Sequence, residues 1–169
     1  MRLRLRPANP EDAAALGRLE RDLAQTPGLL AVRPHEVCDE RLAARLLALR
    51  AGAGGQWLGA EVDDRLVGHG VLEPMPLEVT RHVVVLTLAV ARGWHRRGLG
   101  RALLKALLAW ARAEPAVERV ELRVRASNAP AVALYEALGF VVEGRLRGRI
   151  RLGPGQYVDD LAMGLWVGR

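Results

Sequence analysis

The chain has 169 residues, half of them apolar and about a quarter charged, a balance that supports one packed core and excludes a disordered segment, a collagen-like fibre or a repeat array. Its formal net charge is +6, carried almost wholly by arginine because Lys105 is the only lysine; a positive surface favours an anionic partner such as a nucleotide-bearing cofactor, nucleic acid or an anionic membrane, without choosing among them. Cys38 is the only cysteine, which excludes an intramolecular disulfide and a thiolate metal cluster and suits a reducing cytoplasm.

The opening Met1-Arg2-Leu3-Arg4-Leu5-Arg6 alternates charge with leucine and reads as a first strand rather than a signal peptide. Asn9 ahead of Pro10-Glu11-Asp12 is a helix start, and Ala13, Leu16, Leu19, Glu20 and Leu23 continue at helical spacing to about Ala24. A second helix is expected over residues 34–50, and the glycine-rich 51–55 is a flexible connection. Strands are expected over 57–62 and 66–72, joined by the turn-prone Asp63-Asp64. Residues 81–90 are apolar on both faces and β-branched, the pattern of a central strand covered on both sides. The longest charge-free apolar stretch, 83–91, is too short to cross a bilayer as a helix.

A helix is expected over 99–113, with Arg101, Lys105 and Arg112 as its polar stripe and Pro115 as its stop. Residues 117–125 form the next strand, Ser127 or Asn128 caps a short helix, and Gly139 ends it where a left-handed residue is wanted. Residues 140–150 and 157–167 close the chain as a hairpin across Gly153-Pro154-Gly155. The order is β-α-α-β-β-β-α-β-α-β-β. It gives an α/β (α+β) fold with a mixed, mostly antiparallel sheet of about seven strands and helices on both faces.

The chemistry concentrates in the turn after the central strand, His95-Arg96-Arg97-Gly98-Leu99-Gly100-Arg101. Backbone N–H groups at a helix N-terminus have no intrahelical partner and lie at the positive end of the macrodipole, so a diphosphate can accept several at once. Gly98 and Gly100 remove Cβ atoms that would hold phosphate oxygens away, while Arg96, Arg97 and Arg101 add charge. The same residues also suit a plain tight turn with solvated arginines, and the local pattern does not separate the two readings. Spacing excludes two other nucleotide sites: there is no G-x-x-x-x-G-K-[ST], and Leu103 stands where a dinucleotide fingerprint needs glycine or alanine.

His95 to Gly100 resembles the coenzyme A pyrophosphate loop of the GCN5-related N-acetyltransferases, [QR]-x-x-G-x-[GA], with His95 replacing the usual glutamine or arginine. Asn128, Ala131, Leu134, Tyr135, Gly139 and Phe140 match the family's later motif, N-x-x-A-x-x-L-Y-x-x-x-G-F, at each of its defined positions. The resemblance covers about residues 79–167. It implies a single N-acetyltransferase domain over 1–169, with acetyl-coenzyme A as cosubstrate, no metal, and direct transfer to a primary amine on a small molecule or a protein N-terminus. It also implies that main-chain groups of Leu88, Ala89 and Val90 pair with the pantetheine arm and polarise the acetyl carbonyl, that His95 through Arg101 hold the pyrophosphate, and that Asn128 contacts the pantetheine. Tyr135 then protonates the departing thiolate.

The residues themselves give Tyr135 and Asn128 a second reading. On its helix Tyr135 lies with Ala131 and Leu138 and faces the sheet, as a core tyrosine would, although a buried hydroxyl needs a partner. Asn128 is accounted for by the helix cap alone.

A protonated amine cannot attack a thioester, so something must take a proton. Closest in local wording are bacterial enzymes that acetylate the N-terminal alanine of a ribosomal protein, but their catalytic glutamate falls on Arg123. Glu121, two residues earlier on the same strand face, is the candidate, acting through water, with a solvated strand glutamate as the plain alternative. Arg123 on that face would keep Glu121 ionised, or bind a substrate carboxylate instead. His82, Glu73 and Glu78 are weaker candidates, and Asp159-Asp160 is either substrate-binding or hairpin surface. The tail, Glu143-Gly144-Arg145 with Gly155 to Asp160 and Met163, is similar to acetyltransferases of free amino acids, antibiotics or other small amines. Cys38 carries little weight as a covalent carrier, because no histidine base stands at a telling spacing.

Two other readings compete: a coenzyme A-binding module of the same fold without catalysis, and a basic nucleic-acid-associated protein. The second is minor, because the arginines are dispersed without aromatic interleaving. A homodimer stays open.

Overall fold

A computed structural model describes residues 2–168. Seven strands form one sheet in the order β1-β2-β3-β4-β5-β7-β6. They are β1 (Leu3–Pro7), β2 (Gln56–Val62), β3 (Arg65–Pro74), β4 (Val83–Val90), β5 (Arg119–Arg125), β6 (Val141–Gly153) and β7 (Gln156–Trp166), with helices α1 (Ala13–Ala24), α2 (Asp39–Arg50), α3 (Leu99–Ala113) and α4 (Ala129–Ala137). Every neighbouring pair is antiparallel except β4 and β5, which run parallel. The mixed, mostly antiparallel sheet expected from the chain order is the one observed.

One face of the sheet carries α3 and α4. Leu99, Leu103, Leu104, Leu107, Leu108 and Ala111 repeat at helical spacing and are all buried, each leucine side chain contributing roughly 1.5–3 kcal/mol. Gly70 in β3 lets α3 approach, since a Cβ there would lie 2.6 Å from Leu107 Cδ1. The other face takes α1 and α2 through Leu16, Leu42 and Leu46 against Trp57 and Val71. This second layer does not cover the whole sheet. Thr87, in the middle of β4 and on the α1 face by strand alternation, is exposed.

Two helix starts differ from the sequence reading. Asn9 caps as expected, accepting from Glu11 N at 3.0 Å, but the first turn, Pro10–Asp12, is 3₁₀ and the α-helix begins at Ala13. The helix expected over 34–50 is broken: Pro34–Glu36 is a single 3₁₀ turn, Val37 and Cys38 are extended, and α2 starts at Asp39. Val37 is β-branched and packs into the core beneath α1 and α2, and Asp39 and Glu40 place negative charge in the true first turn. The final hairpin turns on Pro154-Gly155 alone, since Gly153 pairs with Gln156 and Gly155 has φ of +68°.

Candidate active site

The parallel pairing of β4 with β5 lasts only three residues, Val83–Arg119, Val84–Val120 and Val85–Glu121, after which the strands separate. Beyond that point β4 stays paired on its other edge as far as Val90, opposite Gly68 of β3. Ala91 N–H donates to Val67 O in β3 at 2.8 Å. Main-chain direction alternates along a strand, so Ala89 is also turned to β3 while Leu88 and Val90 aim their N–H and C=O groups into the gap. Of the three residues expected to pair with pantetheine, Ala89 turns its polar backbone to β3, and Leu88 and Val90 are the two that face the gap.

The end of this open edge meets the glycine turn. Gly98 has φ of +83° and precedes α3, and the first bond within the helix runs from Ala102 N to Gly98 O at 2.9 Å. The N–H groups of Leu99, Gly100 and Arg101 are left without helical acceptors, an anion site of the expected kind. Leu99 offers only its backbone, because its side chain is 1 % exposed in the core. Arg96, with φ of +60°, and Arg101 are exposed, and the Arg97 guanidinium lies 5.0 Å over the Trp94 ring. His95 takes a role that the motif did not supply: its Nε2 donates to Val90 O at 2.6 Å, across the mouth of the gap.

Helix α4 closes the third side. Asn128 caps it, its side chain accepting from Ala131 N at 3.3 Å, and Gly139 ends it with φ of +98°. A Cβ at Gly100 would meet Leu134 at 3.4 Å, Leu88 at 3.8 Å and Val90 at 3.9 Å. The N-terminus of α3, the helix of Tyr135 and the open edge of β4 thus converge at one point. Tyr135 is buried, edge-on to Phe140 with ring centroids 5.8 Å apart. Burial pushes its phenol up to about 12, and the Arg125 guanidinium pulls weakly the other way.

Glu121 stands where the strands part, half-exposed. Its Oε1 accepts from Arg119 Nε at 2.9 Å, and Arg119 also holds Glu143 of β6. The partner expected from the sequence, Arg123, is exposed and makes no ion pair among the described residues. Leu88 lies three residues further along β4 than Val85, about 10 Å at ~3.3 Å per residue, so Glu121 reaches the far end of the gap only through water. Glu73 is taken by Arg45 in a two-bond pair at 2.7 and 3.0 Å, His82 stacks on Trp166, and Glu78 is exposed. Cys38 contacts Glu40 Oε2 at 3.1 Å at the start of α2.

The sequence left Asp159 and Asp160 undecided, and the structure separates them. Asp159 is bound by Arg145 and by the Gly148 N–H, which hold its carboxyl below the usual range. Asp160 is buried, 3.2 Å from Arg125 Nε. That pair anchors the arginine whose charge acts on Tyr135, a link visible only once β5 and β7 are paired.

A sheet opened between two parallel strands, with a free helix start at one end and a helix carrying a buried phenol along its side, is a cleft suited to a ligand with an anionic head and a polar arm. The Acetyltransferase (GNAT) family matches residues 20–140. The L-amino acid N-acetyltransferase AaaT of Escherichia coli (strain K12) is 32% identical over 133 residues, 77% of either chain. The [ribosomal protein bS18]-alanine N-acetyltransferase of Salmonella typhimurium is 41% identical over 78 residues, 46% of this chain and 49% of that one. Among solved structures, a GNAT-family acetyltransferase from Streptococcus pneumoniae superposes with a TM-score of 0.91 at 26% identity, covering 98% of this chain and all of that one. Salmonella typhimurium yncA with its cofactor acetyl-CoA shares the fold, with a TM-score of 0.90 at 20% identity over 100% and 96% of the chains. The chain belongs to the GNAT acetyltransferase family and is an acetyl-CoA-dependent acyltransferase. No helix among the described residues is long and apolar enough to cross a membrane.

Proposed function

We propose that the protein acetylates a primary amine, on a small molecule or a protein N-terminus, by direct attack on acetyl-coenzyme A lying in the gap between β4 and β5. The observation that carries this is the convergence at Gly100 of the α3 N-terminus, α4 and the open edge of β4. Acetyl-coenzyme A supplies the activated thioester. Free N–H groups of Leu99, Gly100 and Arg101, with Arg96, Arg97 and Arg101 around them, bind its pyrophosphate; Leu88 and the Val90 N–H pair with the pantetheine amides, assisted by Asn128. A main-chain N–H of that edge stabilises the developing oxyanion from a fixed position. Tyr135 gives its proton to the departing sulfur.

Glu121 takes the amine's proton through water, a reading supported by its half-exposed place where the strands separate. The competing reading, a binding module without catalysis, draws no support from Tyr135, whose phenol, raised by burial to about 12, keeps its proton at neutral pH on the helix that borders the cleft. The test is thiol release across a panel of primary amines, followed by the rate–pH profile of the best acceptor. Glu121→Gln is expected to lower turnover and shift the acidic limb. An unchanged profile would mean that no carboxylate on β5 accepts the proton and that the amine loses it to solvent before binding.

A further inference from the structure

Under α1, on the face of the sheet opposite α3, lies a chain of three polar groups. Trp57 Nε1–H donates to His69 Nδ1 at 3.2 Å, and both side chains are buried, His69 completely. A nitrogen that accepts cannot also carry the proton, so the ring proton of His69 is on Nε2. That nitrogen stands 3.0 Å from Glu20 Oε1, outside the angle of a hydrogen bond and with no other partner. A buried N–H left this way is unfavourable. A small turn of the carboxylate would satisfy it.

The carboxylate is largely screened from water and has no positive neighbour in contact. The Glu20 side chain is 14% exposed, and no arginine or lysine lies within ion-pair distance of it among the described residues. The nearest candidates are committed elsewhere: Arg45 to Glu73 and the face of Trp57, and Arg21 to Asp39. A partly buried anion touched only by a neutral donor is a site for a cation.

Its position joins it to the reaction cleft. His69 pairs with Ala89 of β4, whose neighbours Leu88 and Val90 line the gap, and Thr87 is the diagonal neighbour of His69 on the same face. Diagonal side chains across a sheet are about 7–8 Å apart. Thr87 is the exposed residue of that central strand, so the opening in the α1–α2 layer lies beside Glu20.

We infer that Glu20 anchors the ammonium form of the acceptor amine, with His69 as the residue that positions it and Trp57 as the donor that fixes the imidazole's proton. This rests on reading the cleft as an amine acetyltransferase site. Binding an ammonium on Glu20 Oε2 turns the carboxylate, brings Oε1 into line with His69 Nε2, and transmits the change to the Trp57 indole N–H. The anchored ammonium then passes its proton through water to Glu121, and the freed amine attacks.

The probe is n-butylammonium, with butan-1-ol as its uncharged counterpart, followed on the Trp57 indole N–H signal in proton–nitrogen NMR. That signal is assigned by its loss in Trp57→Phe. Butylammonium is expected to move it in the native protein and butanol is not; Glu20→Gln is expected to abolish the shift and raise the KM for the acetylated amine about tenfold or more, with coenzyme A affinity unchanged. An indole signal that ignores the ammonium, or an unchanged amine KM in a folded Glu20→Gln protein, overturns the assignment. Should Glu20→Gln fail to fold, the comparison of ammonium with alcohol on the native protein still decides. A shift without acetylation of any amine would sustain the anchor while removing the acetyltransferase reading.

Discussion

Tyr135→Phe is expected to lower turnover about 10²-fold while leaving coenzyme A affinity intact, because it removes one hydroxyl and keeps the ring against Phe140. The loss falls on kcat, since the phenol acts on sulfur only as the thioester breaks. Its pH behaviour follows from burial. With the phenol raised to about 12, the proton remains on Tyr135 throughout the range in which the acceptor amine becomes a free nucleophile. The native enzyme should therefore show no alkaline decline from this group until pH approaches that value. Linkage gives the matching stability effect. The folded state holds the proton that the unfolded chain gives up near 10.0, the ordinary value of a tyrosine, so stability from this group is complete below that pH and is lost as pH rises towards 12. Tyr135→Phe should remove that alkaline loss. Equal turnover in variant and native protein would reduce Tyr135 to a packing residue.

Substitution of the glycine turn should act on the other parameter. Gly98 is held at φ of +83° with open space where a Cβ would stand, so valine there is opposed by its backbone rather than by a neighbour. Refitting the turn redirects the N–H groups of Leu99, Gly100 and Arg101. Gly100→Val acts by a different route, pressing on Leu134, Leu88 and Val90 where α3 meets α4 and β4. Loss of two charge-assisted hydrogen bonds to the pyrophosphate corresponds to a fall in coenzyme A affinity of about 10²-fold or more. Calorimetry on each variant measures it directly, and unchanged affinity in both would remove the pyrophosphate from this turn.

The elements that carry these two proposed sites were legible in the sequence because local spacing encodes them. Asn128 and Gly139 mark the two ends of α4 through the conformation of one residue each, and Gly98 and Gly100 mark the turn into α3. What lay outside the sequence was pairing. Nothing in the pattern of 83–90 tells that Ala89 faces β3 while Leu88 and Val90 face the gap; the Ala91–Val67 bond sets that. Glu121 was assigned Arg123 as its neighbour, whereas Arg119, equally spaced on the same face, holds it together with Glu143 from β6. The break at Val37 and Cys38 depends on Val37 being drawn into the core. His69 was hidden for the same reason: one histidine in an apolar strand signals a buried polar group, but its partners, Trp57 and Glu20, come from another strand and a helix.

The most direct measurement is a steady-state study of the native protein in which acetyl-coenzyme A and the best primary amine are both varied, with thiol release and the mass of the acetylated amine recorded together. The expected result is one acetylated amine per thiol released, with initial-rate lines that intersect, as a ternary complex in one cleft requires. Parallel lines would contradict direct transfer, and tight binding of acetyl-coenzyme A with no acetylated amine from any acceptor would contradict the account as a whole.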